Sequence, residues 1–110
     1  MSNVTIEITE HAQRQIKDAI KWRAHHEAPD TARNSIKSTI VDWKELLETF
    51  PESGKACQYF DSEEFREIYI GDYRFVYEIR QDGKQFRIYL LIFCHEKMDY
   101  ETLIRQFSHF

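Results

Sequence analysis

Residues 65–99 constrain the fold of this chain more than any other stretch. They contain three strand-like runs, separated by turn signals at Gly71-Asp72 and Asp82-Gly83. An Asp-Gly pair between alternating apolar and polar residues is a strong hairpin signal, because glycine readily adopts the positive φ that a two-residue loop needs. We therefore predict a three-stranded antiparallel meander over these residues.

A two-residue loop at Asp82 and Gly83 would fix the register of the second and third runs. Glu78 would then lie opposite Arg87 as a complementary ion pair. Because side chains alternate between the two sides of a strand, the residues divide into two sets. The first face would carry Tyr73, Phe75, Tyr77, Ile79, Phe86, Ile88, Leu90 and Ile92. The second face would carry Arg74, Val76, Glu78, Arg87, Tyr89, Leu91, Phe93 and His95.

A strand and two helices are predicted before the meander. Residues 4–8 alternate with a period of two, and Thr9 is suited to cap a helix that continues until Pro29. Asp30 is expected to cap the second helix. The apolar stripe of this second helix consists of Ala32, Ile36, Ile40, Trp43, Leu47 and Phe50. Two long helices with a short link predict an antiparallel helical hairpin, which would cover the first face.

The segments on both sides of the meander carry weaker signals. The second helix ends at Phe50-Pro51, and residues 55–64 are predicted to form a loop. After the meander, Asp99 can cap a short C-terminal helix from residue 100 to about residue 107. Residues 1–110 are thus predicted to form a single α+β domain, with helices on one face of a four-stranded sheet.

Length and composition exclude several classes of function. With 110 residues, the chain is expected to be one domain, and its net charge of −4 argues against binding of nucleic acid through a broad basic surface, although it leaves room for a local basic patch. Cys57 and Cys94 lack a metal-binding spacing and are expected to be reduced thiols. No metal or cofactor site is predicted. The sequence has no membrane-spanning window and no amino-terminal leader pattern, so we expect a cytoplasmic protein.

The predicted second face holds the residues that suggest chemistry. Arg74 and His95 could hold a phosphate and exchange a proton with it, and Lys97 could add a second cation. Tyr89 and Phe93 could stack a nucleobase. Other roles remain open for the same residues. Arg74 could pair with a nearby glutamate, His95 could cap the strand end through backbone contacts, and the two aromatic residues could belong to the core.

Several blocks of the sequence together resemble the ParE/RelE superfamily of type II toxins. They are IKW at 20–22, FPESGK at 50–55, FREI at 65–68, GDYRFVYEI at 71–79 and CHEKMD at 94–99. Each block is short, but their order and spacing over residues 4–99 make the combination specific. The resemblance implies a plasmid stabilisation toxin with a RelE/ParE-like fold, neutralised by a cognate antitoxin.

The resemblance implies one of two activities. RelE-like members cleave mRNA on the ribosome without a metal, and Arg74, His95 and Lys97 would then be catalytic. ParE-like members are connected to inhibition of DNA gyrase and need no nuclease site. The paired basic residues of the nuclease sites are not matched, and Glu96 brings negative charge near them. We therefore favour a ParE-like toxin over a ribosome-dependent endoribonuclease, with a non-toxic binding module as a third possibility.

The resemblance also predicts how the antitoxin binds. A disordered antitoxin segment would wrap the helical hairpin and the sheet edge. Its basic residues would meet Asp61, Glu63 and Glu64. Unless the C-terminal helix covers it, the second face would offer an exposed apolar area formed by Val76, Tyr89, Leu91 and Phe93. Tyr89 and Phe93 are accordingly predicted to contact the partner.

Overall fold

A computed structural model describes residues 3–57, 60 and 62–97. In chain order its elements are β1 (Val4–Ile8), α1 (Glu10–Arg23), α2 (Pro29–Thr49), β2 (Lys55–Ala56), β3 (Phe65–Ile70), β4 (Tyr73–Asp82) and β5 (Gln85–His95). The predicted C-terminal helix and its cap lie outside the described residues. No helix in the described part of the chain is long and apolar enough to cross a membrane.

The strands form one mixed sheet with the order β1-β5-β4-β3-β2. Strands β3, β4 and β5 form the predicted antiparallel meander, and β1 pairs with β5 in parallel. The prediction of four strands is wrong by one. Two residues of the segment predicted as a loop, Lys55 and Ala56, pair with Glu67 and Arg66 as strand β2. The turn at Gly54 brings this short strand alongside β3.

The helix ends differ from the prediction in two places. Helix α1 ends at Arg23 and does not continue until Pro29, and the start of α2 is not capped as predicted. Thr9 caps α1, and its hydroxyl accepts a hydrogen bond from the Ala12 amide at 3.2 Å. Asp30 does not cap α2, which begins at Pro29 after Ala28. Proline is favoured at the first helical position, because its fixed φ suits the helix and its missing N–H is not needed there. Asp30 instead lies in the first turn and pairs with Arg33 at 3.2 Å.

The main core lies between the helices and the first face of the sheet. The predicted stripe of α2 is buried from Ala32 to Leu47. At its centre, the Trp43 ring stacks on Phe75 with 5.0 Å between the ring centroids. Phe50 is the exception, because its side chain is 62% exposed. The helix ends at Thr49, and Phe50, which precedes Pro51, has left the helical region with a φ of −132°.

The β4–β5 hairpin turns one residue later than predicted. Asp82 pairs with Gln85, so that the loop consists of Gly83 and Lys84. Gly83 has a φ of +62°, and a loop with positive φ at its first residue alone fits a type II′ turn. The predicted opposition of Glu78 and Arg87 is therefore wrong.

The later turn changes the cross-strand neighbours near the hairpin. Tyr89 lies opposite Glu78, and the two arginines Arg80 and Arg87 lie opposite each other. Glu78 pairs instead with Arg80 on its own strand, at 3.1 Å. The shift moves every partner by two residues, so it leaves the assignment of side chains to the two faces unchanged in this part of the hairpin.

A β-bulge in β5 does change that assignment. Tyr77 pairs with Leu90 but Val76 pairs with Ile92, so Leu91 is an extra residue in β5. Beyond the bulge the two faces of β5 are exchanged. Phe93 and His95 therefore lie on the first face, whereas Ile92 and Cys94 lie on the second. The predicted faces of Ile92, Phe93 and His95 are wrong for this reason.

Helix α1 protects the edge of β5 beyond the end of β1. Strand β1 ends at Ile8, so the later residues of β5 extend past it. The Thr9 hydroxyl donates to the Leu90 carbonyl at 2.7 Å, and the Gln15 side-chain oxygen accepts from the Phe93 amide at 2.8 Å. Polar side chains of the helix thus replace the missing strand partner at the bulge.

Gly54, directly before β2, has the most crowded surroundings of the three glycines. Its amide donates to the Tyr77 hydroxyl at 3.0 Å. A Cβ atom at residue 54 would lie 2.5 Å from that hydroxyl and 2.9 Å from the backbone oxygen of Glu67. Because the Glu67 oxygen belongs to a paired strand, it cannot move aside independently.

We therefore predict that Gly54→Ala lowers the free energy of unfolding by about 1–3 kcal/mol. Ser53→Ala at the neighbouring exposed position is the control and should change the value by less than about 0.5 kcal/mol. Urea denaturation followed by circular dichroism measures both. Equal unfolding midpoints for the two variants would contradict the tight approach at Gly54.

Candidate functional site

Arg74 lies on the second face of the sheet. Its guanidinium carbon is 4.8 Å from the centroid of the Tyr69 ring, which is a cation–π distance. Its partner across the β4–β5 ladder is Cys94. The side chain is half-buried. Arg74 is thus surrounded by the packed residues of this face.

His95 lies on the first face, against helix α1. Its ring is 4.7 Å from the Trp22 ring and 5.1 Å from the Tyr73 ring, measured between centroids. The Nδ1 atom accepts a hydrogen bond from the Lys97 amide at 3.1 Å, so in the neutral imidazole the proton is on Nε2. This local contact is the backbone role that the sequence left open for His95. The Lys97 side chain itself is exposed.

The three residues predicted for a nuclease site are therefore not brought together. Tyr73 pairs with His95, and Arg74 is the next residue along β4, so its side chain points to the opposite side of the sheet. The bulge at Leu91 causes this separation. Without the extra residue, Arg74 and His95 would share the second face, as the sequence alone predicted.

The second face is packed rather than exposed. A second apolar cluster is formed there by Cys57, Val76, Leu91, Ile92 and Cys94, with Phe60, Phe65 and Tyr89 packed against it. Val76 and Leu91 are buried in this cluster, so they do not form an open apolar surface. Phe93 belongs to the main core, where it is 1% exposed and stacks on Tyr73 at 5.0 Å.

The other predicted partner residues lie in different surroundings. Tyr89 is half-buried, with the Arg80 guanidinium carbon 5.1 Å from its ring centroid. Glu63 and Glu64 are exposed before β3. Asp61 lies outside the described residues. Of the five residues predicted to contact the antitoxin, the two glutamates have the most open surroundings in the described part of the chain.

The two glutamates line one of two adjoining pockets at one end of the sheet. The end pocket has a volume of about 520 Å³ and is lined by Thr49, Phe50, Pro51, Glu52, Ser53 and Phe86. The acidic groove beside it has a volume of about 280 Å³ and is lined by Glu52, Glu63, Glu64, Arg66, Ile79, Gln81 and Phe86. Sequence reasoning missed the end pocket because Phe50 continues the stripe of α2. The following proline was the available signal that Phe50 leaves the helix.

A third surface depression lies along the two helices. This helix groove has a volume of about 240 Å³ and is lined by Ile16, Ile20, Arg33, Ile36, Lys37, Ile40, Val41 and Lys44. Its floor is apolar and its charged residues are all basic. The helix groove and the acidic groove therefore differ in the sign of their charge.

No three His, Cys, Asp or Glu side chains converge as a metal site among residues 3–57, 60 and 62–97. Both cysteines are free thiols and buried. The Cys57 thiol donates a weak hydrogen bond to Glu67, with 3.7 Å between sulfur and oxygen. Burial raises the pKa of Cys94 to about 11, although the nearby Arg74 opposes this shift. A thiol with such a high pKa is a poor nucleophile at neutral pH.

The raised pKa of Cys94 predicts a loss of stability at alkaline pH. The folded state keeps this proton up to about pH 11, whereas the unfolded thiol loses it near 9.0. The stability that the protonated thiol contributes is therefore fully present below pH 9.0 and is lost as the pH rises through about 11. The complete loss amounts to about 2–3 kcal/mol.

Urea unfolding at several pH values, with Cys94→Ala as the comparison, measures this loss. The free energy of unfolding should fall more steeply across this range in the natural protein than in the variant, because other groups titrate equally in both. Parallel pH dependences would show that Cys94 does not hold its proton in the fold.

A family model identifies the family of this chain, and a solved structure shares its fold. A family model described as ParE toxin of type II toxin–antitoxin system, parDE, matches residues 6–100. No curated protein sequence matches the chain. Among solved structures, the chain is similar to one described as "Chromosomal ParDE TA system from P. aeruginosa", with 15% identity, a TM-score of 0.58, and coverage of 84% of this chain and 95% of that chain. The structural likeness shows a shared fold, and the family model covers most of the sequence. The chain therefore belongs to the ParE toxin family of type II toxin–antitoxin systems.

Proposed function

We propose that this toxin arrests growth by inhibiting DNA gyrase and that a cognate antitoxin binds and neutralises it. Membership of the ParE family supports the toxin role and the antitoxin partner. The observation that carries the choice of gyrase over mRNA cleavage is the separation of Arg74 from His95 by the sheet.

Metal-free cleavage of RNA requires a proton-transferring group and a phosphate-binding cation within reach of one phosphodiester. Arg74 and His95 lie on opposite faces, so they cannot contact the same phosphate. The His95 ring is also enclosed by Trp22 and Tyr73, and its Nδ1 atom already accepts a hydrogen bond. These contacts suit a structural role better than acid–base catalysis on a large RNA substrate.

The electrostatics of the chain favour the same choice. The net charge is −4, whereas a nuclease that docks among ribosomal RNA phosphates benefits from a basic surface. An inhibitor that acts by binding another protein has no such requirement. Its function depends on surface shape and local charge, and the end pocket and the two grooves provide both.

Two parallel assays test the proposal. Purified gyrase should lose supercoiling activity when the toxin is added, and a cell-free extract should continue to translate at the same toxin concentration. Expression of the toxin alone should arrest growth, and co-expression of the antitoxin should restore it. Rapid loss of translation with mRNA cuts at codon positions would overturn the gyrase proposal in favour of an endoribonuclease.

The variant Arg74→Ala separates the two activities further. In a gyrase inhibitor it should leave toxicity close to the natural level, because the contacts of Arg74, which include the Tyr69 ring, then serve the fold and not a phosphate. In a nuclease, loss of a phosphate-binding cation should reduce the cleavage rate about 10²–10³-fold. Arg87→Ala, at an exposed arginine of β5, is the matched control for the loss of one positive charge. A folded Arg74→Ala variant that has lost toxicity would count against gyrase inhibition.

A further inference from the structure

The end pocket is lined by the most exposed of the large apolar side chains in the described part of the chain. Phe50 is 62% exposed, compared with 36–42% for the other large exposed apolar residues of the described chain, Trp22, Val41 and Tyr69. Pro51 and the half-buried Phe86 continue this apolar lining. An apolar cluster of this kind at the mouth of an open pocket is typical of a contact surface for another molecule.

The turn that forms the end pocket is held in place by hydrogen bonds. The Arg66 guanidinium donates to the carbonyls of Glu52 and Gly54, at 3.2 and 2.9 Å. The Gly54 amide donates to the buried Tyr77 hydroxyl. The Phe50 amide continues the helical pattern by donating to the Leu46 carbonyl at 2.7 Å. A pocket fixed in this way is preorganised, so a ligand does not have to order it on binding.

The charge beside the end pocket is negative. Glu52, Glu63 and Glu64 line the acidic groove, where Arg66 is the single basic lining residue. The hydrogen bonds of Arg66 to the two turn carbonyls also direct part of its guanidinium towards the turn. A binding segment that enters the groove would therefore gain from lysine or arginine side chains next to its apolar anchor.

The helix groove, unlike the acidic groove, disfavours basic side chains in a binding segment. Its charged lining residues are Arg33, Lys37 and Lys44, which would repel a basic segment. The carboxylates of the acidic groove similarly disfavour the phosphates of a nucleic acid. Of the end pocket and the two grooves, the end pocket beside the acidic groove thus suits a protein segment that combines a large apolar side chain with basic neighbours.

We infer that the end pocket is the anchor site for the antitoxin, which inserts one large apolar side chain beside Phe50 while adjacent basic residues contact Glu63 and Glu64. This inference rests on the proposed function, because it takes the cognate antitoxin as the partner. It adds the location of the anchor and the chemistry of the segment that binds there.

Affinity measurements with the intact cognate antitoxin test the inference. Phe50→Ser should weaken binding about tenfold to a hundredfold, because the loss of a central apolar contact typically has this effect. Val41→Ser removes an exposed apolar residue from the helix groove and is the matched control, with an expected change of less than about threefold. Both positions are exposed, and their unfolding midpoints should show that the variants remain folded.

The double variant Glu63→Lys/Glu64→Lys tests the electrostatic part of the inference. It should lower the association rate and make that rate less dependent on salt, because complementary charge mainly accelerates encounter. An association rate that changes neither with salt concentration nor with these substitutions would overturn the role of the acidic groove.

The remaining outcomes separate the inference from the function on which it rests. If the natural toxin binds the antitoxin and Phe50→Ser binds equally well, the anchor site is wrong while the antitoxin partner stands. Loss of affinity in Val41→Ser alone would place the anchor in the helix groove. If Phe50→Ser instead abolishes self-association in sedimentation experiments without affecting antitoxin affinity, the occupant is a second copy of this chain. Failure of the natural toxin to bind the antitoxin would overturn the proposed neutralisation itself.

Discussion

The extra residue Leu91 determines which side chains this sheet presents on each face. Up to Leu90, β5 alternates in phase with the first face, and after Leu91 the phase is reversed. Phe93 therefore joins the main core, and Cys94 joins the second cluster. The side chain of Gln15 satisfies the Phe93 amide near the bulge, so helix α1 and the bulge depend on each other. Removing the Gln15 side chain would leave the Phe93 amide without this partner.

Both faces of the sheet are covered by packed side chains, and this limits where another molecule can bind. One face packs under the helices, and the second carries its own buried cluster around Val76. Surfaces available to other molecules in the described part of the chain are then found at the ends and grooves of the molecule. The end pocket is stabilised by the same contacts, around Gly54 and Tyr77, that hold the edge of the sheet in place. This arrangement suits a toxin that acts through protein contacts, because rigid and locally charged surfaces can discriminate between partners.

Much of the fold could be predicted because its helices and its first strand carry clear periodicity. The stripe from Ala32 to Leu47 and the cap at Thr9 follow from local spacing and side-chain chemistry. The bulge could not be predicted, because residues 90–94 are all apolar. The sequence therefore does not show which of these side chains lie on which face of the sheet. The turn was misplaced because Gly83 suits both positions of a two-residue loop. Both errors concern register, but only the bulge decides whether Arg74 and His95 can meet, because the displaced turn leaves the two faces unchanged. The family was recognisable from short blocks of sequence, whereas the geometry of its surface was not.

Nuclear Overhauser effects from the ring protons of His95 test the central claim, which is that the bulge places His95 and Arg74 on opposite faces. Cross-peaks to the rings of Trp22 and Tyr73 are expected, because their centroids lie 4.7 and 5.1 Å from that of His95. The variant His95→Gln confirms the assignment of these cross-peaks to His95, because they should disappear in its spectrum. Cross-peaks from His95 to the side chains of Arg74 and Tyr69 would instead place His95 on the second face. That result would contradict the bulge and restore the geometry that a nuclease site requires.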